Sequence, residues 1–165
     1  MILEGLVTTI SGDGLVNLAP MGPIVDGDMS TLVLRPYQSS ATLANLMERP
    51  EGVFHVTDDV LLLARAAIGG VEPMPEMFEA EEVAGRVVAG ACRWYEFRIE
   101  EADTSSERTT LTARIVHVGR IRDYFGLHRV NLHLSIQKLC GNRQSSSRAS
   151  FFVVARPSTR NRRAR

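Results

Sequence analysis

The chain has 165 residues, 44% of them hydrophobic and 23% charged, with no net charge at pH 7. That is the size of one domain with a single core, and no apolar run approaches the roughly 18 to 20 residues that span a bilayer. The start, MILEGL, lacks a basic region ahead of a long apolar segment, and the two cysteines, Cys92 and Cys140, form neither a disulfide framework nor a metal pattern. A reduced, cytoplasmic setting is the expectation.

The zero net charge conceals a division. All 19 acidic residues lie at or before Asp123. Ten arginines and no lysine share that segment, giving −9, while residues 124–165 carry nine basic residues and no acid, giving +9. The chain therefore reads as a body over residues 1–125 followed by a compositionally foreign basic segment over residues 126–165 that ends in RPSTRNRRAR.

Along the body, MILEGLVTTI is rich in β-branched and aliphatic residues and predicts a strand. SGDG at 11–14 is a hairpin turn, and LVNLAPMG returns as a second strand that Pro20 and Gly22 interrupt. MSTLVLRP is a third strand. Ser39 or Ser40 then caps a helix that runs through Met47 and stops at Pro50. GVFHV is a short buried strand, and Asp58 is placed to cap the nearly all-apolar helix VLLLARAAI, which Gly69 and Gly70 close. Residues 70–90 form a long excursion. CRWYEFRIEEA and RTTLTARIVHVGRIRD pair as a hairpin around DTSSE. Six or more strands with two short helices predict a mainly β, α+β fold of closed or nearly closed barrel type. Beyond Tyr124, LHRVNLHLSIQKLC fits a strand or a helix, GNRQSSSRAS reads as a loop, and FFVVA has high β-propensity.

The stretch LRPYQSSATLANL, residues 34–46, places a guanidinium and three hydroxyls at a helix start. A helix N-terminus attracts anions through its open N–H groups and its dipole. Arg35 adds a planar donor suited to phosphate, and Ser39, Ser40 and Thr42 add hydroxyls within one turn. The alternative stands beside it: Ser40 caps, and Arg35 pairs with a surface carboxylate. Elsewhere, His55 reads as a core or strand-end histidine, and Asp58–Asp59 as a cap with a first-turn acid. Trp94, Tyr95 and Phe97 read as core. His117, His128 and His133 show no ligand spacing, so no metal is expected.

LVNLAPMGPIV and LVLRPYQSSATLANLMERPEGVFHVTDDVLLLARAAI, in that order, resemble the FMN-binding split-barrel proteins. More narrowly, the chain resembles an uncharacterised group within them, domain of unknown function 447, over roughly residues 1–125. The wider flavin reductases share the layout. The resemblance implies a six-stranded FMN-binding split β-barrel, usually a homodimer, with FMN in a groove near the subunit interface. Matched onto this sequence, Arg35, Ser39, Ser40 and Thr42 would hold the phosphate with Gln38 nearby, and Asn17, Pro20, Met21 and Gly22 would line the isoalloxazine. Asn45 would face either the site or the helix packing.

The implied function is that of a flavin reductase-like oxidoreductase passing hydride through FMN to or from a nicotinamide or other small redox partner. No acid–base residue stands out, so a flavin carrier or sensor without turnover is the rival reading. Nucleic-acid binding through the basic tail is disfavoured, because the tail lacks interleaved aromatics and the body is acidic. After YFG the sequence leaves the group's pattern just where its acids cease. A change of reading frame near Gly126 is the expected cause, and an intact single frame at the locus in several isolates would refute it.

Overall fold

The alternation in the first twenty residues becomes a hairpin. In the computed structural model, which describes residues 1–124, β1 (Gly5–Ile10) pairs antiparallel with β2 (Val16–Met21). Gly14 turns the chain with a positive φ of 86°, and its N–H reaches the Ser11 carbonyl at 2.9 Å. Pro20 lies on an edge strand, where a missing N–H costs the sheet least. The frame change expected near Gly126 and the other readings of residues 126–165 lie outside the described residues.

Next come β3 (Ile24–Val25), β4 (Thr31–Leu34), α1 (Ala41–Glu48), β5 (Glu51–Val56) and α2 (Val60–Ala67). They are followed by β6 (Met77–Glu79), β7 (Arg86–Val88), β8 (Arg93–Asp103) and β9 (Thr110–Arg120). One seven-stranded sheet runs β2-β1-β5-β8-β9-β4-β3. That is one strand more than the resemblance implies, because the two-residue β3 extends the β4 edge. The residues ahead of β1 then meet β3: Val25 N–H donates to the Met1 carbonyl at 2.8 Å and Leu3 N–H to the Pro23 carbonyl at 3.1 Å. The N-terminal segment thus touches both ends of the sheet, β1 beside β2 and the residues ahead of it beside β3, and the sheet curls into a split barrel.

Side chains alternate across the curled sheet. Val7, Leu32, Leu34, Phe54, Phe97 and Leu111 fill the interior with no exposed area; each such side chain contributes about 1.5–3 kcal/mol by leaving water. On the outer face, Val53 and Trp94 pack with Val83 and Val87 in a second, smaller cluster. Trp94 lies flat over Gly119 on the neighbouring strand, where an added Cβ would stand 1.9 Å from its indole. Tyr95 and Phe97 face inward and Trp94 and Glu96 outward, so all three aromatics of β8 are packed, as read from the sequence.

Two readings need correction. Residues 70–90 are not merely an excursion, since β6 and β7 form a hairpin of their own against the outer face. The turn between them, rich in acids and alanine, gave no hairpin signature. The cap of α2 is Asp59 rather than Asp58: Asp59 Oδ1 accepts from Leu62 N–H at 2.9 Å. The helix starts at Val60, so Asp58 sits one residue too early to reach an open amide and bonds Arg122 instead. Gly69, with φ of 71°, closes α2, and Gly70 N–H bonds the Arg65 carbonyl at 3.0 Å.

Candidate functional site

α1 plugs one end of the barrel. Its N-cap is Ser40, whose Oγ accepts from Leu43 N–H at 3.2 Å and donates to the Tyr37 carbonyl at 2.7 Å. Leu43 and Leu46, three residues apart, face the interior with Thr42 and Asn45 beside them. Four polar side chains seal the joint with the β1–β2 hairpin. Asn17 Nδ2 donates to Thr42 Oγ1 at 3.1 Å and Thr9 Oγ1 at 3.3 Å, and Asn45 Nδ2 donates to the same Thr9 hydroxyl at 3.0 Å. Asn45 is therefore a packing amide, and the Thr42 hydroxyl, buried, serves the joint rather than the surface.

What remains open at this end is cationic and donor-rich. Arg35 is exposed, and among the described residues its guanidinium has no ion-pair or hydrogen-bond partner. Ser39 is exposed in the same way. The N–H groups of Ala41 and Thr42, at the first turn, meet no acceptor among the described residues. An anion seated at the first turn would meet the positive end of the dipole, worth about half a unit charge, with the exposed Arg35 six residues ahead of the first Ala of α1 in the same loop. A surface carboxylate for Arg35, the alternative read from sequence, is not found among the described residues.

The loop carrying these groups is held by the tip of the β8–β9 hairpin. Gln38 Nε2 donates to the Thr104 carbonyl at 3.1 Å and the Ser106 carbonyl at 2.7 Å, so it fixes the loop from the side. The Arg108 guanidinium lies 3.9 Å from the centre of the Tyr37 ring and hydrogen-bonds its hydroxyl. Thr109 N–H closes on the Pro36 carbonyl at 3.1 Å. Sequence reading missed Tyr37 and Arg108; the register that pairs residue 37 with residue 108 spans 71 positions, and no local pattern announces it.

The residues matched to the ring lie elsewhere on the hairpin. Pro20 and Gly22 are exposed, and half-buried Met21 packs on the barrel core. Pro20 and Met21 end β2 and Gly22 follows it; the outer edge of β2 has no strand beside it among the described residues. The structure thus joins Asn17 directly to Thr42 and groups Arg35, Gln38, Ser39 and Ser40 in one loop. No hydrogen bond links Pro20, Met21 or Gly22 to that loop.

The remaining titratable candidates are used up structurally. His55 is fully buried: Nε2 accepts from Val88 N–H at 3.1 Å, and Nδ1 lies 3.3 Å from the Leu6 carbonyl. Burial pushes the imidazole down to about 4, with the backbone contacts at Leu6 and Arg86 recovering only part. Arg122 is held charged by Asp58 and also reaches the Gly90 carbonyl at 3.0 Å. No group of three metal-ligating side chains occurs among the described residues. No helix among them is long and apolar enough to cross a membrane.

Comparison with known proteins agrees with this architecture. An FMN-bound protein from Methanosarcina mazei assigned to DUF447 is similar at TM-score 0.67 and 17% identity, over 87% of this chain and 78% of that one. The styrene monooxygenase flavin reductase of Pseudomonas putida S12 follows at TM-score 0.62 and 14% identity, over 73% of this chain and 82% of its own. Nitrilotriacetate monooxygenase component B from Bacillus cereus gives 0.61 and 18%, over 80% and 78%. No curated protein sequence matches significantly. Residues 3–122 match the family described as protein of unknown function (DUF447), N-terminal domain, and the chain belongs to that family.

Proposed function

We propose that the chain binds FMN, with the phosphate at the start of α1 and the isoalloxazine along the end of β2. The observation that carries this reading is the loop ahead of α1, where among the described residues Arg35 and Ser39 are exposed without partners and the amides of Ala41 and Thr42 meet no acceptor. Those groups fit a phosphate dianion: a planar fork, a hydroxyl and two backbone donors, with no carboxylate bonded to any of them. The free edge of β2 around Pro20, Met21 and Gly22 suits the polar rim of a flavin, since edge N–H and C=O groups need partners. Asn17 acts indirectly, by holding Thr42 and hence the first turn of α1 in place. The FMN-bound family member from Methanosarcina mazei supports the same ligand.

The activity we propose is that of a flavin reductase-like oxidoreductase with a nicotinamide as small-molecule partner. Hydride chemistry belongs to the flavin when bound, and the chain contributes binding and orientation. A homodimer is part of the proposal, supported by the exposed Leu61 and Ile68 of α2 and its end; α2 packs beside β2, whose outer edge has no strand beside it among the described residues.

Titration of flavin fluorescence with the purified protein tests the binding. Saturable quenching of FMN that riboflavin does not match is the expected result; no quenching by folded protein would refute the site. Adding NADH or NADPH without oxygen then separates an enzyme from a carrier, because only an enzyme would bleach the bound flavin.

A further inference from the structure

Residues 76–91 cross the outer face of the barrel and are held there mostly by side chains that reach up from the sheet. Glu96, on β8, is fully buried, and its carboxylate is enclosed by donors. Oε1 accepts from Glu81 N–H at 2.9 Å and Trp94 Nε1 at 3.1 Å, and Oε2 accepts from Glu82 N–H at 2.6 Å and Val83 N–H at 3.2 Å. From β5, His55 Nε2 receives Val88 N–H. From β1, Thr8 Oγ1 donates to the Arg86 carbonyl at 2.5 Å. Its apolar anchor is the small cluster of Val53, Val83, Val87 and Trp94, separate from the barrel interior, with Phe78 set edge-on against Trp94 at 5.6 Å between ring centres and Val88 and Ala91 buried.

We propose that residues 76–91 form a strap that opens as one unit in acid, with the Glu96 carboxylate and the His55 imidazole as its fastenings. Both groups bond the strap's backbone only in their unprotonated forms. A protonated His55 would turn an N–H toward the Val88 N–H, and a protonated Glu96 would lose acceptor capacity where three amides and an indole converge. A unit with its own small core and polar attachments is what opens below the global unfolding free energy.

The direction follows from the two environments. Burial holds the closed-state imidazole at about 4, whereas an open strap returns it toward the ordinary 6.5. The open form therefore binds the proton better, and closure weakens as pH falls from about 6.5 toward 4. For Glu96, burial alone would raise the carboxyl, but the amides of Glu81 and Glu82, the Trp94 indole and the nearby His117 outweigh it and hold it below its ordinary value. Its contribution to closure is lost below the ordinary carboxyl range, in the same direction.

The other charged groups on this face are accounted for. His117 Nε2 lies 3.5 Å from Glu81 Oε1, and the Arg98 guanidinium bonds the Glu82 carbonyl at 2.6 Å. Glu51 receives Ala84 N–H at 3.0 Å and lies 3.5 Å from Arg98, while Arg86 pairs with Glu79 at 2.8 Å on the strap itself. These contacts are partly exposed, so their titration moves closure less than that of the two buried groups. Opening would also dismantle the groove in which Glu76, Val88 and Ala89 face Thr57 and Leu62.

Hydrogen exchange of the full chain between pH 7 and 4.5, corrected for intrinsic rates, tests this. The amides of Glu81, Glu82, Val83 and Val88 should lose protection by more than about tenfold relative to Phe54 in the barrel. Glu96→Gln should show faster strap exchange already at pH 7, with barrel amides unchanged. In His55→Gln the amide can still accept from Val88 but does not titrate, so the pH dependence between 6.5 and 4.5 should flatten. Loss of strap and barrel protection together at every pH, or strap protection in the wild-type chain that does not change with pH, would overturn the proposal. The wild-type profile decides this even if a variant fails to fold.

Discussion

α1 and α2 have eight residues each, and each is capped by one side chain, Ser40 or Asp59. Yet they sit in opposite environments. α1 is mixed in composition and buries Thr42, Leu43, Asn45 and Leu46. α2 reads VLLLARAA, almost wholly apolar, and buries only Ala66. Apolar content therefore does not decide which helix enters the core; position along the chain does. α1 follows β4, next to the sheet's β3 edge, and packs Leu43 and Leu46 into the barrel interior. α2 follows β5 on the outside, where it packs beside β2, half-buried rather than in the core. The difference separates a helix whose inner face is part of the barrel core from one that lies half-buried on its outside.

The contrast is most exposed to truncation of leucines. Leu46→Ala in α1 should cost about 2–5 kcal/mol in chemical denaturation, as expected for a cavity in a packed interior. Leu61→Ala in α2, at an exposed position, should cost less than about 0.5 kcal/mol. Equal losses would break the contrast. A Leu61 effect that grows as the protein is diluted would instead reveal a partner over α2.

A smaller effect is expected from the polar joint. Asn45→Ala leaves Thr9 with one donor fewer and an empty amide site, at a cost of about 1–3 kcal/mol. Removing either cap, by Ser40→Ala or Asp59→Ala, should cost about 1 kcal/mol each, because capping acts on the first turn regardless of what the helix face buries. Urea midpoints would check all three, and a cap effect confined to α1 would show that α2 is held by something other than its own start.

The legible part of this fold was local. Residue alternation marked the β1–β2 hairpin, SGDG its turn, and the serines before ATLANLM the start of α1 with Ser40 as cap. Gly69–Gly70 marked the end of α2. Illegible were features decided by distant partners: which of two adjacent aspartates caps, since only the helix phase distinguishes them, and the β6–β7 hairpin, whose anchors are Glu96, His55 and Thr8 on other strands. At the candidate site, hydroxyls and Arg35 pointed to the helix start, but the roles divided in three dimensions. Thr42 and Asn17 turn toward each other, whereas Arg35 and Ser39 stay open. The clamp by Gln38, Tyr37 and Arg108 depends on a hairpin tip some seventy residues away.

The most direct measurement compares FMN and riboflavin affinities for the wild-type chain and Arg35→Ala by fluorescence titration. If the guanidinium addresses the phosphate, Arg35→Ala should weaken FMN by about tenfold or more while leaving riboflavin unchanged. Equal weakening of both ligands, or none of either, would contradict a phosphate site at the start of α1.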